Sequence, residues 1–558
     1  MAEQVDRSAE ASSNPGHTNT EVVYPSGVRL LCLTIGLMAV VLMVALDNYI
    51  LATAVPRIST QFHSLDLVGW FASSYFLTQM AFQPAFGHLF TDFPVKIVFV
   101  AAILLFEVGS IICATAMSSL TLIVGRLVAG AGGGGLYVGT LTFMGLAVPT
   151  RKRAFYISLV TSMFGVASVA GPLLGGVFTD SKLLTWRFCF WINLPIGFVA
   201  LVLVSLTFKA PKTNAIYGGT LGEKLQSLDP IGLLVLLAAF VCLLLPLQWA
   251  GTRYPWSDSH VIGCFVGFVA LITVFVALQV CLRDRASIPL WLARQRTVAA
   301  SSLFLLFISL IVGLLIYYLP LYFQLVQGSS ARASGIQNLP FLVTMLFSPI
   351  ATGALVSTFG FYVPFMWLGA ILATLGSGLL STLRVDSTGG IVSAFQFITG
   401  LGLGLCTQIP FNAVQYVLPQ NQIAMGSAIV SFCNSLGPIL GTNVGQAIFS
   451  NLFLKRLEGV PDIDAKAIIL AGPTTDLASI GNSATVMEAF NYSLTRTFVL
   501  AIASGTLAFA SSLAMEWGNV KRERKGSRDS VPTEIEPGTQ FARSGISEDV
   551  PMSAKNAP

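Results

Sequence analysis

Apolar residues along this chain do not alternate with polar ones; they run on in blocks of roughly twenty, separated by short polar stretches. A block of ~20 apolar residues is the length a helix needs to cross a hydrocarbon core of ~30 Å. Lipid satisfies no backbone polar group, so a spanning segment must be a helix or a strand of a closed barrel. Continuous runs argue for helices. Fourteen spans are predicted, near 29–52, 66–86, 96–116, 120–144, 154–178, 187–208, 229–249, 260–281, 298–324, 336–358, 363–383, 391–416, 423–450 and 494–516. Residues 1–28 and 517–558 are polar and are expected to be disordered tails.

Within the helical pattern a motif recurs. Gly171-Pro-Leu-Leu-Gly175 returns as Gly437-Pro-Ile-Leu-Gly441, and the stretch beginning at Gly87 returns at Gly353, both 266 residues downstream (171 to 437, 87 to 353). Gly130-Ala-Gly-Gly-Gly134 matches Gly400-Leu-Gly-Leu-Gly404, and Pro149 matches Pro419, at an offset of 270 (130 to 400, 149 to 419). A shared offset across four motifs in one order points to a duplicated membrane domain. The expected organisation is a six-helix half over 29–208, two linking helices within 209–297 and a second six-helix half over 298–516, with an outer loop at 451–493. Parallel halves of this kind build one large group of secondary transporters.

Composition excludes a soluble globule: 54% of the 558 residues are hydrophobic and 10% are charged, against about 25% charged in soluble chains. The eight cysteines form no CxxC pair and read as apolar filler. The net charge of +5 comes without a basic aromatic stripe, which argues against nucleic acid. Lys and Arg gather in one set of loops, at Lys96, Arg151–Arg153, Lys209, Lys212, Lys224 and Arg283–Arg296. By the positive-inside rule those loops, and with them both termini, are expected to be cytoplasmic.

Several stretches resemble a known family. Leu46-Asp47-Asn-Tyr-Ile-Leu-Ala-Thr-Ala-Val-Pro56-Arg-Ile58, Gly125-Arg126-Leu-Val-Ala-Gly130, Gly165–Gly176 and Trp186-Arg187-Phe-Cys-Phe-Trp191-Ile-Asn193-Leu-Pro195-Ile-Gly197 are similar to motifs of the major facilitator superfamily. Within it they look like the 14-span drug:proton antiporters of the fungal toxin-efflux type. The resemblance covers roughly residues 29–516. It implies an all-α membrane fold of two six-helix bundles plus two extra central helices. The loop after span 2 departs from the family pattern. It reads Gly87-His-Leu-Phe-Thr-Asp92-Phe-Pro-Val-Lys96, with the acid displaced and proline in the place of glycine. The resemblance assigns a charge latch to this loop, on Gly87, Asp92 and Lys96.

Ionisable residues inside spans are few, and each is a functional candidate. Asp47 and Arg126 lie at similar depth in spans that the family fold makes neighbours, so an ion pair is expected, as a proton-coupled switch or a static packing contact. Glu107 sits mid-span 3, as a proton site, a cation anchor or a neutral carboxyl bonded to a neighbouring helix; the last is the expected role. No histidine is expected to be buried, since His17, His63, His88 and His260 fall in the tail or near span ends. Gly165, Gly171, Gly175 and Gly176 leave one helix face bare for close packing, and Pro172 bends the span, which suggests a seam between the halves. The sequon Asn491-Tyr492-Ser493 abuts the membrane and is expected to stay unmodified.

Gln79, Gln83, Tyr137, Tyr317, Tyr318, Gln324, Gln408, Asn412, Gln415 and Asn434 are amides and phenols inside spans. As a set they suit a cavity for an amphipathic, largely neutral organic substrate. No Walker motif and no metal or nucleophile cluster is present, so no cofactor is expected and the chain is not read as an enzyme. The expected function is proton-coupled export of hydrophobic organic compounds such as toxins, secondary metabolites or drugs. A dedicated carrier for one siderophore or sugar is the alternative, and a membrane receptor or enzyme a remote one. The expected setting is a monomer in the plasma membrane, or in a vacuolar or vesicle membrane, with substrate, protons and lipid as its partners.

Overall fold

A computed structural model describes residues 25–62, 67–181, 184–208, 229–251, 254–458, 460, 463–465, 468 and 483–519. Residues 1–24 and 520–558 of the predicted tails (1–28 and 517–558), Lys209, Lys212, Lys224 and positions 469–482 of the outer loop lie outside the described residues. The apolar blocks form fourteen long helical segments: α1 (Gly27–Phe62), α2 (Val68–Asp92), α3 (Val95–Ala114), α4 (Ser119–Ala147), α5 (Thr150–Thr161 and Met163–Asp180), α6 (Phe188–Trp191 and Asn193–Thr207), α7 (Pro230–Trp249), α8 (Ser259–Leu282), α9 (Arg296–Leu325), α10 (Leu339–Phe359), α11 (Val363–Leu380), α12 (Gly389–Cys406 and Ile409–Val417), α13 (Ile423–Leu457) and α14 (Ser483–Thr497 and Val499–Ser512). The residues that interrupt α5, α6, α12 and α14 keep right-handed helical dihedrals, so each pair of segments continues as one rod.

Among the described residues, thirteen helices are long and apolar enough to cross a membrane. The remaining one, α2, has 25 residues and carries Ser74, Thr78, Gln79, Gln83 and His88, all buried. These side chains lower its hydropathy but face protein. Ser74 and Thr78 bond back to carbonyls of their own helix, and Gln83 Nε2 donates to Ser435 Oγ on α13 at 2.9 Å. Helix ends also differ from the sequence expectation. α1 continues past 52 to Phe62, and α14 starts at Ser483, inside the expected outer loop. Hydropathy marks where lipid ends, whereas a helix continues for as long as its backbone ladder is favourable.

The repeat acquires a structural meaning. In the first half Gly171 lies against Tyr49 and Ile50 of α1; in the second Gly437 lies against Leu306, Ser309 and Leu310 of α9. Gly130 meets Tyr75 and Thr78 of α2, and Gly400 meets Phe341 and Thr344 of α10. The third pair crosses between the halves. Gly87 of α2 touches Ala428 and Met425 of α13, while Gly353 of α10 touches Ser158 and Ala154 of α5. Helices 2 and 13 thus exchange roles with 10 and 5, as an approximate two-fold relation of duplicated halves requires.

The antiporter-like stretch is only partly a seam. Gly171 and Gly175 face α1 of their own half, Gly165 faces Leu346 of the other half, and nothing stands within 4 Å of a Cβ built at Gly176. Pro172 is exposed. The expectation that all four glycines line one contact is corrected: Gly175 and Gly176 are successive residues, about 100° apart around a helix.

The linking pair α7 and α8 covers one side of the junction. Leu236, Phe240 and Leu244 of α7 pack with Leu77, Met80 and Ala81 of α2 and Ile439 of α13. Val266, Val269 and Val280 of α8 are each more than half exposed, an apolar surface that lipid would cover. Asp229 ties this pair together: Oδ1 caps Gly232 N at 2.8 Å, and Oδ2 accepts from Gln279 Nε2 at 2.8 Å and Ser287 Oγ at 3.1 Å. The expectation that no histidine is buried fails at His88, which is 7% exposed and whose Nε2 meets Ala286 O at 2.6 Å. The connector between α8 and α9 folds over it, a contact that sequence position cannot reveal.

Close packing of α3 on α4 rests on Gly109 against Ala129 and Gly132 against Phe106 N, where a Cβ would stand 2.5 Å away. Gly132→Ala is expected to cost about 1–3 kcal/mol and to lower the melting temperature of the detergent-purified protein by several degrees. Gly176→Ala, facing open space, is expected to leave it unchanged.

Candidate functional site

α1 and α4 bring Asp47 and Arg126 together at 1% exposure each, and Arg126 Nη1 donates to Asp47 Oδ2. In hydrocarbon neither charge is tolerable alone, so mutual pairing fixes both helices. Each partner has further support. Arg126 Nε donates to Phe71 O at 3.0 Å, and the guanidinium carbon lies 4.3 Å from the centre of the Tyr75 ring, a cation–π contact. Asp47 Oδ1 accepts from Asn193 Nδ2 at 3.1 Å, and the same amide nitrogen reaches Ser110 Oγ at 3.1 Å. Four of the first six helices, together with α2 through Phe71 and Tyr75, therefore converge on one polar knot.

That knot is incompletely satisfied. Arg126 Nη2, Tyr75 Oη, Asn193 Oδ1 and Asn48 Oδ1 are buried without a hydrogen-bond partner. So are both carboxyl oxygens of Glu107, one helical turn from Ser110 on α3. The expected hydrogen bond from Glu107 to a neighbouring helix is absent among the described residues. Unpaired buried polar atoms cost about 1–3 kcal/mol each, and their concentration here needs a reason.

The cavity candidates fall into groups. Tyr137 stands edge-on to Phe164 of its own half at 5.9 Å and to Phe411 of the other half at 6.0 Å. Gln408, Asn412 and Gln415 lie on one face of the second α12 segment, and each has a side-chain oxygen left unpaired. Asn434 Oδ1 accepts from Ser309 Oγ at 2.6 Å, and Gln79 is buried against Gly134. Other candidates serve packing. Tyr318 bonds Thr442 O and Gln446 Oε1 within the second half, and Gln324 bonds Pro320 O beside Ser334. Tyr317 is half exposed against the Tyr318 ring. Asn491 sits in α14 with Nδ2 directed at Leu383 O, so its amide is turned into the protein.

At the end carrying Arg151–Arg153, hereafter the basic end, the halves are shut. Arg153 donates from Nη1 to Gln415 O across the junction at 3.0 Å and from Nη2 to Gly145 O at 2.6 Å. Gln415 Nε2 returns to Leu141 O at 3.0 Å. The cleft beside Ser158, Thr352, Gln408 and Asn412 leaves no space that a water molecule could occupy, so it does not hold a drug-sized molecule. Lys96, a candidate for the charge latch, instead donates to Ser205 O in its own half. Arg153 was readable only as a topology signal. Asn193 lay inside the sixth-span motif without a partner assigned, and Asp229, before Pro230, carried the Asp-Pro signature of a helix start.

Comparisons with known proteins agree with this architecture. The family model described as Major Facilitator Superfamily matches residues 37–442. The chain is 40% identical over 527 residues to the MFS-type efflux pump MFS1 of Trichophyton rubrum, covering 94% of this chain and 98% of the relative. It is 38% identical to the efflux pump aflT of Aspergillus parasiticus, covering 93% and 100% respectively. Among solved structures, the proton:xylose symporter XylE superposes with a TM-score of 0.54 at 14% identity, covering 85% of this chain and 95% of that one. The human organic anion transporter MFSD10 gives 0.55 at 12% identity, covering 86% and 100%. The chain belongs to the major facilitator superfamily and is a transporter rather than an enzyme.

Proposed function

We propose that this protein is a proton-coupled exporter of hydrophobic organic molecules. In this reading it acts as a monomer in the plasma membrane, with the basic end and both termini cytoplasmic. Relatives carrying the name efflux pump across nearly the whole chain support the direction of transport. The observation that carries the coupling is the buried Asp47–Arg126 pair. Protonating Asp47 removes its charge. Arg126 then keeps Phe71 O and the Tyr75 ring, so the pair can open without stranding the guanidinium. Opening frees α1 from α4 and lets the halves, about 29–208 and 298–516, rock around the central polar residues. One proton moving through 100 mV releases about 2.3 kcal/mol, enough to hold a neutral solute roughly forty-fold out of balance. The amide and phenol set, with no charge of its own, suits molecules that hydrogen-bond but carry little charge.

Asp47→Asn is expected to abolish protonophore-sensitive efflux of the uncharged dye Nile red from cells while the purified protein stays monodisperse; unchanged efflux would remove Asp47 from the coupling. Arg126→Ala leaves a carboxylate in lipid with one amide partner. It is expected to cost about 3–5 kcal/mol and to melt well below Asp47→Asn. Arg153→Ala removes the donors closing the basic end. In a chain whose native cysteines are replaced, a cysteine at Ser158 is expected to react several-fold faster with an aqueous maleimide in that background than with Arg153 present.

A further inference from the structure

Glu107 has no role in the packing just described. Its residue is partly exposed, through the stem, while both carboxyl oxygens are buried and unpartnered. The slot that receives it exists because residue 197 is glycine: a methyl group there would overlap Glu107 Oε1 and approach Met43 Sδ at 3.2 Å. Met43 precedes Asp47 by about one turn of α1, and Gly197 follows Asn193 by about one turn of α6. Ser110, one turn along α3, accepts from Asn193 Nδ2, which also donates to Asp47 Oδ1.

We propose that Glu107 is a second proton-carrying carboxylate, housed in the slot opened by Gly197 beside the hydrogen bonds that join Ser110, Asn193 and Asp47. The inference rests on the coupling role given above to Asp47. Two acids and one arginine lie in the first half at this level, and only Asp47 pairs with Arg126. Arg126⁺ with Asp47⁻ and protonated Glu107 is neutral; so is Arg126⁺ with protonated Asp47 and Glu107⁻. Moving one proton between the two carboxyls breaks one O–H bond and forms another without changing the net charge that the bilayer must accommodate. Hydrocarbon penalises net charge far more than its redistribution. A proton can thus wait on Glu107 while Asp47 is paired and pass to Asp47 when the pair opens. Titratable groups around Asp47 include Tyr75 on α2, Cys113 on α3, Arg126 on α4 and Cys189 on α6; none of these, nor Asp47 itself, bonds either Glu107 oxygen.

The test uses the full chain in proteoliposomes with the uncharged dye Nile red. Dye counterflow reports exchange without net proton movement, whereas accumulation against an imposed pH gradient requires coupling. Glu107→Gln, a neutral isostere, is expected to keep counterflow within about twofold of wild type and to lose gradient-driven accumulation by about tenfold or more, the loss of one productive protonation step at ~1.4 kcal/mol per decade. A neutral packing carboxyl would leave both unchanged, and a cation anchor would lose both; either result overturns the proposal. A second measurement needs no variant. In the wild-type protein, dicyclohexylcarbodiimide, which attacks protonated carboxyls in apolar surroundings, is expected to label Glu107 with a yield that falls as pH rises. Absence of label at every pH overturns it as well. Failure of the wild-type protein to accumulate dye under a pH gradient would instead contradict the proton-coupled export itself.

Discussion

A charge inside a bilayer has to be answered by another charge, and the first half of this protein is arranged around that requirement. Asp47 and Arg126 come from helices 79 residues apart in sequence and meet at 1% exposure. Around them Phe71, Tyr75, Ser110 and Asn193 supply the remaining contacts, so that α1, α2, α3, α4 and α6 all have one side chain or carbonyl in the same knot. Glycine makes this geometry possible. Gly130, Gly132 and Gly133 bring α4 close to α2 and α3, which sets the depth at which Arg126 can find Phe71 O. Packing and electrostatics are here the same constraint.

The second half repeats the packing without repeating the charge. Gly400 and Gly437 reproduce the approaches of Gly130 and Gly171, yet the described α9, α10, α11 and α12 spans hold amides and hydroxyls at their buried polar positions. The halves thereby differ in chemistry: the buried ion pair lies in the first, and the described α9 to α12 spans of the second hold neutral hydrogen-bonding groups. On the proposed function, protons are handled by the first half, and organic molecules by the face it shares with the second. Arg153 joins the two by bonding carbonyls on both sides of the junction at the basic end.

Much of the fold was legible because the bilayer is a demanding solvent. A span must be long, apolar and helical, so counting apolar blocks located the helices, and a constant offset exposed the duplication. Helix ends at Phe62 and Ser483 were not legible, since outside lipid the same rule no longer applies. The depths of Asp47 and Arg126 could be read from their positions within spans, and the structure joins them; their part in coupling is a proposal. Partners were harder. Nothing local to Asn193, Arg153 or Asp229 says which distant group each will bond, and nothing about Gly197 says that its missing side chain makes room for Glu107. Burial of His88 likewise depends on a connector about 200 residues away, at Ala286.

On the proposed function, substrate and protons move through one protein in opposite directions without nucleotide, and substrate-evoked proton flux tests this. Purified protein is sealed in vesicles holding a pH-sensitive dye, with no ATP present, and the uncharged dye Nile red is added outside. A proton current opposed to the movement of Nile red is expected, abolished when a protonophore short-circuits the membrane. Dye movement that proceeds at full rate with no accompanying proton flux would contradict it.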